Sequence, residues 1–151
     1  MELSSDFSAN ILRNLITELH FINGKIIEEV IRSEDISINQ FYILEYLNRN
    51  KKTSTTELAN VLKISQPAVT QFINKLVQLE YISKNNHPED KRRTIFALTQ
   101  GGQKKIKILQ DHQVSIIKNR IGAMDKGKDL FLIEGLKSFV DSWNRRNTYE
   151  S

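Results

Sequence analysis

Three helix-start signals lie between residues 37 and 67, and they constrain this chain more than any other feature does. In "SINQFYILEYLNR" Ser37 and Gln40 stand at capping-box spacing, and Phe41, Leu44 and Leu47 share one face of a short helix. "KKTSTTELANVL" repeats the device with Ser54 and Glu57 ahead of Leu58, Ala59 and Leu62. In "KISQPAVTQFINKLVQLEYI" Ser65 is a good N-cap, and Pro67 falls in the first turn, where a missing N–H costs little. The spacing predicts three short helices in succession.

The third of these helices has two unlike faces. Val69, Phe72, Ile73, Leu76 and Leu79 are its inward candidates. Its other face carries Gln66, Thr70, Gln71, Asn74, Lys75 and Gln78: amides, hydroxyls and one cation, with no acid. Surface helices ordinarily mix Glu and Lys, whereas this set suits hydrogen bonding to base edges and phosphates. The helix runs into "YISK", a charged loop over residues 85–93, and the strand-forming "TIFAL", which together predict a two-stranded hairpin with a long charged tip. Thr99 then caps another helix, weakened in its first turn by Gly101 and Gly102.

Long amphipathic helices flank this middle. Leu12, Leu15, Leu19, Ile22, Ile26 and Val30 recur at steps of three or four, and Ile11, Ile16, Ile27 and Ile31 widen the stripe. The helix after the hairpin runs to about Gly122, and a last one places Leu132, Leu136, Phe139 and Trp143 on one seam. These stripes exceed what one small domain buries by itself, so they ask for a partner helix.

Charge separates the middle from the ends. Residues 1–40 carry 3 basic and 7 acidic side chains, whereas residues 81–110 carry 7 and 2. A central basic segment between acidic or neutral ends suggests a surface facing a polyanion. The 151 residues contain no cysteine, which removes thiolate chemistry, disulfides and cysteine-bound zinc. His20, His87 and His112 have no short spacing to carboxylates, so neither a metal site nor a catalytic constellation is expected. Glu89 and Asp90 sit on an exposed basic loop without the burial that tunes a catalytic carboxylate. With neither a membrane span nor a leader-like N-terminus, a cytoplasmic protein is expected.

Helix, turn, helix, hairpin is the order of a winged helix-turn-helix, in which one helix enters the major groove and the wing reaches along the backbone. At these residues the chain resembles the MarR family of bacterial transcription regulators. The likeness runs through "TTELANVLKISQPAVTQFINKLVQLEYISK" and then "HPEDKRRTIFALTQGG", where Pro88, Asp90, Arg92, Leu98, Thr99 and Gly102 follow the family's wing pattern. One departure is Glu80, which stands where the family usually has a glycine; it touches the detail of the turn rather than the fold.

The resemblance implies a mainly α fold with a small β hairpin (α+β). It makes 1–151 a single MarR-like domain, 37–99 a DNA-binding module, and 5–33 and 100–146 dimerisation helices. It implies a homodimer on an inverted-repeat operator in double-stranded DNA, with groove helices one or two turns apart, roughly 34 Å per turn. Ser65, Gln66 and Lys75 are then expected to meet phosphates, beside Pro67 at the helix start, while Gln66, Thr70, Gln71 and Asn74 contact base edges. On the wing, Asp90 orients Arg92, and Lys91 and Arg93 add phosphate contacts. A small aromatic or anionic effector would lie among His20, Phe21, Tyr42, Tyr46 and His112 and release a repressor from its operator. No cofactor or catalytic residue is expected. The competing reading is a dimeric helical interaction protein without DNA binding, and salt-dependent DNA binding separates the two.

Overall fold

The computed structural model describes residues 5–86 and 94–147, with side chains through 145. Its elements are α1 (Ser5–Ile31), α2 (Ile38–Asn50), β1 (Lys52–Thr53), α3 (Thr55–Leu62), α4 (Gln66–Gln78), β2 (Ile82–Asn86), β3 (Thr94–Leu98), α5 (Gln100–Ile121) and α6 (Lys128–Asn147). They form two compact units, residues 1–113 and 114–151, with the boundary inside α5. The fold is mainly helical with one small antiparallel sheet, as the sequence predicts.

The first unit is organised around α2. Its start is a complete capping box: the Ser37 hydroxyl accepts from the Gln40 N–H at 3.3 Å, and the Gln40 Oε1 accepts from the Ser37 N–H at 2.8 Å. Gln40 is buried, and its Nε2 donates to the Phe72 carbonyl at 3.4 Å, so one amide both starts α2 and ties it to α4. Phe41, Ile43, Leu44 and Leu47 pack with Leu58 of α3, Val69, Ile73 and Leu76 of α4, Ile82 and Phe96 of the sheet, and Ile27 and Val30 of α1. Phe72 and Leu79, expected inward, are only half-buried, because Val69, Ile73 and Leu76 already fill the contact face.

The sheet has three strands in the order β1-β3-β2, not the two expected. Lys52 pairs with Ala97 and Thr53 with Phe96, so the link between α2 and α3 is itself stitched to the wing strand. β2 and β3 pair from Ile82–Leu98 to Asn86–Thr94. The second start signal also resolves differently from expectation. Ser54 caps α3 by accepting from the Glu57 N–H at 3.2 Å, but the Glu57 carboxylate is held by the Tyr46 phenol at 2.6 Å and the Thr53 hydroxyl at 3.0 Å. Those two bonds make a clasp joining α2, β1 and α3.

In the second unit, α6 exposes Leu130, Phe131, Leu132, Ile133, Leu136, Val140 and Trp143. The N-terminal two thirds of α1 likewise exposes Ile11, Leu12, Leu15, Ile16, Leu19 and Ile22.

Candidate nucleic-acid interface

α3 and α4 meet through the three-residue link Lys63, Ile64 and Ser65, and backbone geometry sets their angle. Lys63 takes the left-handed conformation (φ 56°, ψ 40°), and the Ile64 N–H reaches back to the Ala59 carbonyl at 3.2 Å, which ends α3 at once. Ser65 opens α4 by accepting from the Ala68 N–H at 3.4 Å, with Pro67 in the first turn. With Val69, Ile73 and Leu76 buried, helical periodicity turns Gln66, Thr70, Gln71, Asn74 and Gln78 outward, and all five are exposed. This face spans the length of α4 without an acidic residue of its own.

Two of its side chains are already engaged. The Thr70 hydroxyl donates to the Gln66 carbonyl at 2.9 Å, leaving its oxygen lone pairs and methyl group outward. The Lys75 ammonium sits 2.7 Å from the Asp35 carboxylate, which comes from the link between α1 and α2.

The end of α4 fixes the wing. The Tyr81 N–H donates to the Leu76 carbonyl and the Glu80 N–H to the Val77 carbonyl, both at 2.9 Å, a Schellman arrangement that needs a left-handed residue between them. Glu80 supplies it at φ 59°, so the turn has the geometry of a glycine turn although the residue is glutamate. The Thr99 hydroxyl donates to the Glu80 carbonyl at 2.5 Å and accepts from the Gly102 N–H at 2.9 Å, and the Thr99 N–H donates to the Tyr81 carbonyl at 3.0 Å. A Cβ on Gly102 would lie 2.0 Å from the Tyr81 carbonyl oxygen, so only glycine permits this approach. Helix α4, the wing root and the start of α5 are thereby locked together. Lys84 is exposed on β2, while Asp90, Lys91, Arg92 and Arg93 lie outside the described residues.

Of the five residues proposed for an effector, the structure brings two together. Tyr42 and Tyr46 line a cavity of about 300 Å³ with Asn23, Ile27, Phe41, Glu45, Arg49, Val61, Leu62 and Gln113. The Asn23 amide approaches the Tyr42 hydroxyl at 3.5 Å, and Glu45 accepts from the Gln110 amide at 3.0 Å. His20 and Phe21 face each other edge-on at 5.9 Å and do not line it, nor does His112, which is exposed. At the cavity edge the Tyr46 hydrogen bond, helped by Thr53, holds the Glu57 carboxyl below its ordinary value, and the same bond raises the Tyr46 phenol.

Asp35, Thr53, Asn23 and Arg49 are the residues that sequence reasoning missed, and Glu57 was read only as a helix-start residue. Asp35 was visible only as one acid of the acidic N-terminal segment. Among the described residues, no group of three or more His, Asp or Glu could hold a metal, and no helix is long and apolar enough to cross a membrane.

Comparison with known proteins agrees with this geometry. Residues 36–94 match the MarR family, a span running from the start of α2 to the beginning of β3. The HTH-type transcriptional repressor YetL of Bacillus subtilis (strain 168) is 27% identical over 125 residues, covering 77% of this chain and 75% of the relative. The crystal structure of wild-type MarR from E. coli in its apo form superposes with a TM-score of 0.75 at 22% identity, over 85% of this chain and 95% of that one. A mutant of S. aureus MepR bound to an oligodeoxyribonucleotide superposes with a TM-score of 0.63 at 18% identity, over 89% and 97%. Helix order, the three-stranded sheet and the matched span agree: residues 36–94 match the MarR family, and the fold is a MarR-like winged helix-turn-helix with long flanking helices.

Proposed function

We propose that this regulator is a sequence-specific DNA-binding repressor that acts as a homodimer on an inverted-repeat operator and is released by a small effector. The observation that carries the reading is the outward face of α4, where Gln66, Thr70, Gln71 and Asn74 are exposed on a helix whose own polar face lacks a carboxylate. Amides of this kind pair with adenine edges and hydroxyls with any base, while the helix start and Ser65 face phosphate. Lys75, Lys91, Arg92 and Arg93 supply the charge that makes such binding salt-dependent, and Asp90 limits the freedom of Arg92 before binding. The MepR complex with an oligodeoxyribonucleotide and the repressor YetL support the DNA and repressor parts of the reading by kinship.

The module is assigned to residues 37–99. The exposed apolar faces within residues 5–33 and 100–146, on α1 and α6, support their assignment to dimer formation, since such surfaces are covered in soluble proteins. The effector is assigned to the cavity of Tyr42 and Tyr46, whose lining mixes aromatic rings with Asn23, Glu45 and Arg49 and so suits a small aromatic compound with an anionic group. A ligand favouring a dimer with misplaced groove helices lowers operator affinity by its differential affinity for the two states.

Selection of bound duplexes from a random pool tests the reading. The expected product is an inverted repeat whose half-sites lie about one or two helical turns apart. Recovery of duplexes without a common symmetric sequence would contradict it.

A further inference from the structure

The Asp35–Lys75 pair is unusual because the acid comes from outside α4, forty positions away in sequence, yet lies against the one cation of the reading face. Its carboxylate is 76% exposed, so burial does not force the pairing. What holds it is the short link that carries it. On one side of Asp35, Glu34 is ion-paired with Lys105 of α5, both half-buried, and its N–H donates to the Ile31 carbonyl at 2.9 Å. On the other side Ile36 is buried in the core. Asp35 is thus a positioned negative charge, not a wandering one. It shares an open groove with Gln71 and Lys75, beside the face assigned to base contacts.

A carboxylate there acts against phosphate in two ways. It repels the DNA backbone, and it occupies the lysine that would otherwise neutralise one phosphate. Binding to random duplex is almost entirely phosphate neutralisation, so withholding one cation weakens it directly. In the operator complex, base contacts hold α4 deep in the groove, where a phosphate can take the lysine. Exposed ion pairs are weak, so the exchange costs little once that geometry is enforced.

We propose that Asp35 is a specificity-determining residue of this surface, holding Lys75 away from phosphate on random duplex and yielding it when α4 is seated in the operator groove. This rests on the DNA-binding reading above.

Equilibrium binding of the full chain to the selected operator duplex and to a random duplex of equal length, across a salt series, tests it. Asp35→Asn is expected to raise random-duplex affinity roughly threefold to tenfold and to steepen its log–log salt dependence by about 1, with a smaller gain on operator. In a Lys75→Ala background the same substitution should give a clearly smaller gain, that of relieved backbone repulsion alone. Equal gains on both duplexes, or an undiminished gain in the Lys75→Ala background, would overturn the proposal, because Asp35 would then act on DNA directly. If the unaltered protein binds neither duplex, the DNA-binding reading itself falls. If it binds operator and Asp35→Asn leaves the operator-to-random ratio unchanged, only the role of Asp35 falls.

Discussion

The winged module and the long helices α1 and α6 use apolar side chains in opposite ways. In the module Leu44, Leu58, Val69 and Leu76 have no solvent exposure, and every described helix start is capped by Ser37, Ser54 or Ser65. In α6, Phe131 is 76% and Trp143 61% exposed, and the apolar residues of α1 up to Ile22 are exposed as well. One region buries its apolar side chains within a single chain; the other leaves them exposed, as the proposed homodimer requires. The module is therefore built to keep its shape, and in the proposed homodimer the long helices would set the distance between two such modules.

Substitutions sharpen that contrast, beginning with the largest effect. Leu44→Ala should cost about 2–5 kcal/mol of unfolding free energy at any protein concentration, as cavities in packed cores do. Leu132→Ala in α6 should instead make the melting temperature more concentration-dependent and shift sedimentation toward monomer. If both variants changed melting equally and independently of concentration, the division of labour would be wrong.

Gly102→Ala comes next. Its methyl group would meet the Tyr81 carbonyl, so the joint of α4, wing and α5 must shift, at roughly 1–3 kcal/mol. Chemical denaturation measures the loss. A variant as stable as the original would show that the close approach is not needed.

Glu80→Gly should move the other way by up to about 1 kcal/mol, since a left-handed glutamate carries a steric cost that glycine lacks, partly offset by glycine's freedom in the unfolded chain. A clear loss of stability would mean that the glutamate side chain contributes more than its strain.

The smallest effect concerns pH. The Tyr46 phenol, then the Thr53 hydroxyl, depress the Glu57 carboxyl below its ordinary 4.5. The carboxylate therefore contributes stability that is fully present above that value and lost as pH falls through the lower folded one. Tyr46→Phe should raise the Glu57 titration midpoint seen by NMR, and its stability deficit should be constant near neutrality and shrink in acid. An unmoved midpoint would remove Tyr46 as the cause.

Much of this architecture was legible in sequence because its determinants are local. Ser37 with Gln40, Ser65 with Pro67, and the three-four spacing of Val69, Ile73 and Leu76 all act within one or two helical turns. What escaped notice depends on residues far apart in the chain. β1 is two residues long and has no pattern of its own, existing only because Thr53 meets Phe96. The Ser54–Glu57 spacing suggested a capping box, but Tyr46, eleven positions away, takes the carboxylate. Likewise Lys75 reads as a free cation until the chain brings Asp35 to it. Glu80 shows the reverse: the backbone demanded the glycine-like turn, and the unexpected residue complied.

The central claim is that the outward face of α4 reads sequence, and Gln71 offers the most direct measurement. Affinity of the original protein and of Gln71→Ala should be compared across every single base-pair change in one half-site. At one position the original should discriminate by about 1–3 kcal/mol and the variant should not, with other positions unchanged. A variant that keeps full discrimination at every position would contradict the account.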